Sequence, residues 1–486
     1  MKTSLFASAI LFLFFASCCQ AAIDLTCPTA NITNTDGAFP TGGISLFPAN
    51  YTCIIKFLIP RGFAVKVDFQ TNKATWSMDH IVVKDSALEL FEMSNVDNLF
   101  YLPTGTNSIN ITTLTNTTTI YFTWKFMDVT KFQRNQISTG SVVSMNFTAN
   151  NYYQFTSKND TVLFHTGGNP DLNGNPDISL KKVYYYDGDD LSAMFVGNLY
   201  NGIFNTYNSK GKSITLVNFY GTPTNSYGIA SDSSSLSKYQ KYSLNIITNS
   251  TFFSTFVLQA SAELGQETAM TVYAVDLQES FISYITFSNR NATGQQVRFR
   301  PLVPMDGYGD LLSYNPTSTN HIPPLPQQVL SNVYTVTCYQ CNAFIGIRPE
   351  EDWTNVGPGN SGMIYSPSMW NPKSQQPLAP YFVNFTSNNL PVKFVFDIQS
   401  LKTISVADKL RIEVGSSSTS SVVTELTQSS NTDIQKSAIG NYMAISFSGA
   451  NATSSFAISL RVEDNGAERG LISFVVLGVA LLRLFQ

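Results

Sequence analysis

Few residues of this 486-residue chain have the types needed for chemistry. There are three histidines, His80, His165 and His321, and none lies near a Gly-x-Ser-x-Gly or His-Glu-x-x-His pattern. No nucleophile elbow or zinc-protease helix is therefore encoded. Asp187-Gly188-Asp189-Asp190 follows Tyr184-Tyr185-Tyr186. Such a cluster suits metal binding or paired-carboxylate glycosidase chemistry, but it reads first as an exposed turn. In a β protein, carboxylates converge by folding rather than by spacing. A secreted hydrolase with its active site in the middle of the chain therefore stands as the alternative to a non-catalytic protein.

The cysteines offer different chemistry. Cys18 and Cys19 fall in an N-terminal leader, which leaves Cys27, Cys53, Cys338 and Cys341. Cys27 and Cys53 most simply pair, a closure that stabilises by roughly 3–4 kcal/mol. Cys338-Tyr339-Gln340-Cys341 is a CxxC. In a reducing compartment it would suggest metal or redox work. Here no second CxxC, nearby His or βαβ pattern supports that, so a local structural disulfide is expected. Ten Asn-x-Ser/Thr sequons fit an oxidising, extracellular setting: Asn31, Asn50, Asn110, Asn116, Asn146, Asn159, Asn249, Asn291, Asn384 and Asn451. Several glycans are expected.

Both ends read as processing signals. Lys2 precedes an apolar run from Leu5 to Ala16, and Cys19-Gln20-Ala21 places small residues for cleavage. Residues 1–21 are expected to be a signal peptide. Residues 464–486 end in Leu471–Leu482, too short to span a bilayer comfortably, with small Asn465-Gly466-Ala467 upstream. That is the pattern of a glycosylphosphatidylinositol signal with the lipid near Asn465, or otherwise of a short membrane tail. Lys+Arg is 29 and Asp+Glu 33, with no basic stripe. Nucleic-acid binding, which needs clustered cations, is excluded.

The elements that must position these residues are strands. Phe63, Val65, Val67 and Phe69 alternate with polar residues. So do Ile120, Phe122, Trp124 and Phe126, then Val392–Ile398, Leu410–Val414 and Phe456–Val462. Period-two alternation means half-buried antiparallel strands. The fold class is all-β. Phe63–Phe69 and Asp79 recur as Val392–Ile398 and Asp408 at an offset of 329, with Asp68 matching Asp397. Two copies of one sandwich are therefore expected, at 22–150 and 341–463. They flank a β-rich middle region, 151–340, with a Pro-rich connector at 301–328.

The N-terminal copy resembles a CUB domain. The resemblance rests on Phe47-Pro48-Ala49-Asn50-Tyr51-Thr52-Cys53, on Ile59-Pro60-Arg61-Gly62-Phe63 entering a strand, and on Asp79-His80-Ile81-Val82-Val83. The C-terminal copy opens similarly at Ser361–Pro367. The whole layout resembles the nematode secreted CUB-like family, which implies jelly-roll sandwiches and a link to pathogen defence. The Cys27–Cys53 spacing is similar to the family's first disulfide; its second is missing. Many CUB domains bind calcium, and the resemblance nominates Asp79 and Asp128 as ligands, without the family's Glu. The implied protein is a non-catalytic extracellular recognition or adhesion glycoprotein of innate immunity. Its partner would be a protein or glycan, and lipid would anchor it to the outer face of the plasma membrane.

Overall fold

Alternating side chains place one face of most strands in a core, and the described residues form four successive sandwiches. The computed structural model describes residues 24–73, 77–93, 98–168, 177–201, 206–249, 254–260, 265, 267–288, 294–316, 326–374, 380–388, 391–416, 419–429, 434–448 and 453–465. The expected signal peptide, His321, Asn291, Asn451 and residues 466–486 lie outside them.

The first sandwich holds β1 (Gly37–Phe39), β2 (Ser45–Leu46), β3 (Thr52–Ile59), β4 (Phe63–Phe69), β5 (His80–Lys84), β6 (Leu90–Glu92), β7 (Leu99–Leu102), β8 (Gly105–Thr112), β9 (Thr119–Ile120) and β10 (Phe122–Asp128). Its sheets run β1-β10-β4-β7 and β3-β8-β5-β6. Val67, Phe69 and Phe122 from one sheet meet Ile55, Ile81 and Ile109 from the other in a buried core.

The second sandwich holds β11 (Gln133–Ser138), β12 (Val142–Ser144), β13 (Asn151–Thr156), β14 (Val162–Gly168), β15 (Val183–Asp187), β16 (Met194–Asn198), β17 (Tyr207–Asn208), β18 (Ser213–Asn218) and β19 (Ser226–Asp232). The third holds β20 (Tyr239–Ile247), β21 (Ser254–Gln259), β22 (Glu267–Ala274), β23 (Ser280–Phe287), β24 (Gln296–Pro301), β25 (Leu312–Tyr314), β26 (Gln327–Val329), β27 (Val333–Tyr339) and β28 (Asn342–Arg348). Both contain a five-stranded sheet of one design, β11-β13-β18-β15-β16 and β20-β22-β27-β24-β25. In each the first pair is parallel and the others antiparallel. β14 pairs with β17 as β23 pairs with β26. The middle of the chain is thus itself a duplication, which sequence reading missed.

The fourth sandwich holds β29 (Ser361–Tyr365), β30 (Tyr381–Thr386), β31 (Val392–Lys402), β32 (Lys409–Ser416), β33 (Thr419–Leu426), β34 (Ile434–Gly440), β35 (Tyr442–Ser448) and β36 (Ser455–Glu463). Its sheets, β29-β36-β31-β34 and β30-β35-β32-β33, reproduce the strand orders of the first sandwich. The expected boundaries at 150 and 341 differ from the strand pairing. β11 pairs with β13, so the second sandwich takes its first strand from before 150. β28 pairs with β21 and β23, so residues 342–348 complete the third. On either side of residues 317–325, which lie outside the described residues, the Pro-rich stretch contributes β25 and the start of β26 to the third sandwich's sheets.

The chain divides into two compact units, residues 1–139, 143–164 and 170–226, and residues 140–142, 165–169 and 227–486. Among the described residues no helix is long and apolar enough to cross a membrane.

Candidate functional site

Asp79 sits just before β5, fully buried. Its Oδ1 accepts hydrogen bonds from the backbone N–H of Leu114 (2.7 Å) and Thr115 (2.8 Å). Its Oδ2 accepts from the hydroxyls of Thr115 (2.7 Å) and Thr118. Burial works against the charge, but the hydrogen bonds from Thr118, Thr115 and Leu114 outweigh it and hold this carboxyl well below the usual carboxylate range. Asp408 does the same work in the fourth sandwich. It is fully buried before β32 and takes the N–H of Ile404 (2.9 Å) and Ser405 (3.0 Å) and the Ser454 hydroxyl. In both copies a hydroxyl residue just ahead of the closing strands reaches the aspartate. The repeated aspartate ties a connecting loop to the sandwich.

Asp128 is elsewhere. β10 pairs Phe122 with Phe69 and Asp128 with Phe63, while the donors to Asp79 lie in the loop before β9. Asp128 thus ends the strand whose other end is near Asp79, about 20 Å away at roughly 3.4 Å per residue. It caps the turn Val129–Lys131 and pairs with Lys131 at 2.9 Å. The two residues nominated for calcium are therefore not brought together. Calcium needs six to eight oxygen ligands, and the Asp79 oxygens already face N–H and O–H donors. No group of three or more His, Cys, Asp or Glu that could hold a metal occurs among the described residues.

The other nominated groups are also committed. Asp187, Asp189 and Asp190 stand at the β15–β16 turn and accept from Lys210 N, Gln154 Nε2 and Ser192 N respectively. His80 is exposed and lies 2.9 Å from Glu92. His165 is buried edge-on to Tyr242, and burial lowers its pKa to about 4, so it is neutral. Cys27 is bonded to Cys53 and Cys338 to Cys341. Seven sequon asparagines are exposed: Asn31, Asn50, Asn116, Asn146, Asn159, Asn249 and Asn384. Asn110 is half-buried at mid-strand in β8, between Ile54 and Val82. Asn465 donates its side-chain amide to Pro391 O at 2.6 Å.

A polar constellation that sequence reading missed joins the first two sandwiches inside the first unit. Asp85, just after β5, is buried, and its Oδ2 accepts from the Tyr184 hydroxyl at 3.1 Å. Its Oδ1 accepts from Glu89 N at 2.9 Å. Glu89 pairs with Lys181 at 2.9 Å. Around them Ala64 and Val129 pack on Tyr152, Tyr184, Tyr186 and Phe219. Burial pushes the Asp85 carboxyl up to about 6, against the hydrogen bonds it accepts. Burial likewise raises Tyr184 well above its ordinary value. The Tyr-Tyr-Tyr run was the one sequence signal, and it gave no hint of Asp85, 99 residues away.

No curated protein matches the chain. Among solved structures it is similar to the CUB1-EGF-CUB2 domains of rat MASP-1, at 11% identity over 45% of this chain and 99% of that one, with a TM-score of 0.16. The extracellular region of zebrafish Gpr126/Adgrg6 is 9% identical over 66% and 52%, with a TM-score of 0.18. A triple jelly roll from an archaeal virus is 9% identical over 87% and 90%, with a TM-score of 0.14. TM-scores this low carry no argument. Residues 18–130 match the family model of the CUB-like domain, which places the first sandwich, though not the chain as a whole, in that family.

Proposed function

We propose that this chain is a non-catalytic extracellular recognition or adhesion glycoprotein acting in defence at an exposed surface. The CUB-like domain at residues 18–130 carries the reading. The fourth sandwich, with the same strand orders and its own buried loop-tying aspartate, supports it. Loops at the ends of such sandwiches are where rigid β scaffolds carry binding residues. The acidic residues that suggested hydrolysis each accept a hydrogen bond from the protein itself, Asp187 from Lys210 N, Asp189 from Gln154 Nε2 and Asp190 from Ser192 N, which fits structural roles. The leader, the sequons and the small triplet at Asn465 fit export, glycosylation and lipid attachment. The defence role rests on the likeness to nematode secreted CUB-like proteins alone. The test is a protein and glycan array, including bacterial surface polymers, probed with the purified ectodomain. Specific capture is expected. Turnover of a sugar, lipid or peptide that is lost on mutating Asp187 or Asp189 would overturn the reading.

A further inference from the structure

At the junction of the first and second sandwiches, within the first unit, lies an open cleft of about 820 Å³. Its lining includes Leu58, Arg61, Leu88, Met194 and Phe195, and no carboxylate. Leu58, Leu88 and Met194 are 47%, 72% and 38% exposed, three apolar side chains gathered at one opening rather than scattered singly over the surface.

Arg61 is the one charged residue of this lining. It is exposed and makes no hydrogen bond or ion pair among the described residues. Its backbone is held in place. Phe63 N donates to Pro60 O at 3.2 Å and Val129 N to Gly62 O at 3.0 Å, closing a tight turn over Arg61-Gly62. Gly62 has φ +79°, which a Cβ would strain, and a Cβ there would also come within 2.9 Å of Thr130. Leu88, in the same lining, has φ +68°, a conformation that a bulky residue adopts only when its surroundings impose it. Leu88 N donates to Asp85 O at 3.1 Å, and Asn201 Nδ2 to Ala87 O at 3.4 Å. An exposed leucine in a left-handed backbone conformation and a guanidinium with no partner among the described residues thus line one cleft.

We propose that this cleft binds an extended acidic segment of a partner protein. One carboxylate would sit on Arg61, with aliphatic or aromatic side chains against Leu58, Leu88 and Met194. An unpaired Arg presents two parallel donors matched to a carboxylate. The volume suits a few side chains, at the kind of domain junction where ligands bind. A sugar is the poorer fit, because the Ser86 and Thr104 hydroxyls are spent on Thr104 O and Ile59 O. The proposal rests on the recognition reading and names its ligand class.

Fluorescence anisotropy of the full secreted chain tests it, with short labelled peptides alternating Asp or Glu with Leu or Phe. The acidic peptides should bind, and Asn/Gln analogues should bind at least about tenfold more weakly. Arg61→Glu should lose the acidic peptides and Arg61→Lys keep part of the affinity, while both retain the wild-type melting temperature. Leu88→Ser should weaken binding independently of salt. Equal binding by wild type and Arg61→Glu, or by acidic and neutral peptides, overturns the proposal. So does binding of uronic-acid oligosaccharides through Arg61 in place of peptides. If Arg61→Glu still captures its array ligands while acidic peptides fail, the cleft is wrong and the recognition reading stands. If neither peptides nor arrays give a ligand, both fall.

Discussion

Replacing Asp85 with Asn should stabilise the first unit at neutral pH and do little in acid. The wild-type carboxyl has a folded-state pKa of about 6. Its unfolded value is near 3.9. The raised value means that the folded state prefers the protonated form. Below pH 4 the group is neutral in both states and costs nothing. Between pH 4 and 6 the unfolded chain ionises first, so stability falls. Above pH 6 the full cost is present, about 3 kcal/mol at 1.36 kcal/mol per unit. The groups facing Asp85 are Glu89 and the Ala87 N–H on its own turn and the Tyr184 hydroxyl from the second sandwich, while Lys181 pairs with Glu89. Asn keeps an acceptor oxygen for the Glu89 N–H and removes the charge. For a unit of this size about 3 kcal/mol corresponds to roughly 6–12 °C in melting temperature. Calorimetry of both proteins from pH 4 to 7.5 at fixed ionic strength should show a gap that is widest at pH 7.5 and closes towards pH 4. A gap of constant width, or a variant less stable at pH 7.5, would refute the reasoning.

Other outcomes are expected with equal directness. Asp79→Ala leaves a set of loop donors unmet and should cost roughly 2–5 kcal/mol in denaturant unfolding. Because its carboxyl is depressed, the stability it provides should fade as pH drops below about 4. Millimolar calcium should leave the wild-type melting temperature unchanged, and an upward shift absent from Asp79→Ala would contradict the geometry at Asp79. Cys53→Ser should cost about 2–5 kcal/mol and cause retention in the secretory pathway, read by pulse-chase. Phosphatidylinositol-specific phospholipase C should release the protein from expressing cells; retention beside a released control would exclude the lipid anchor.

The all-β class was legible because alternation is local: Phe63 to Phe69 declares its two faces without reference to any partner. The outer repeat was legible because its copies keep a common spacing, Asp79 to Asp408 included. The duplication of the middle was not. Its defining feature is a parallel pair, β20 with β22, and the strands of such sheets pair by order rather than by motif. Site chemistry was less legible still. Asp79 draws its donors from 35 to 39 residues away, and sequence likeness does not say which end of a strand a residue such as Asp128 occupies. Asp85 gave no signal at all; only folding sets Tyr184 against it.

The order of the four sandwiches also bears on how the gene was assembled. The first matches the fourth and the second matches the third in sheet order, so the chain reads as a palindrome of folds. A single tandem duplication of a two-sandwich ancestor would give an alternating order instead. If the copies arose by duplication, the observed order needs at least two separate copying events, one doubling the inner sandwich and one carrying a copy of the outer sandwich past it. The outer copies still share a residue-for-residue frame around Asp79 and Asp408, whereas the inner copies share only the path of the chain. Less of the inner copies' sequence is tied to a common frame, so partner specificity would be written in their loops as readily as in those of the outer pair.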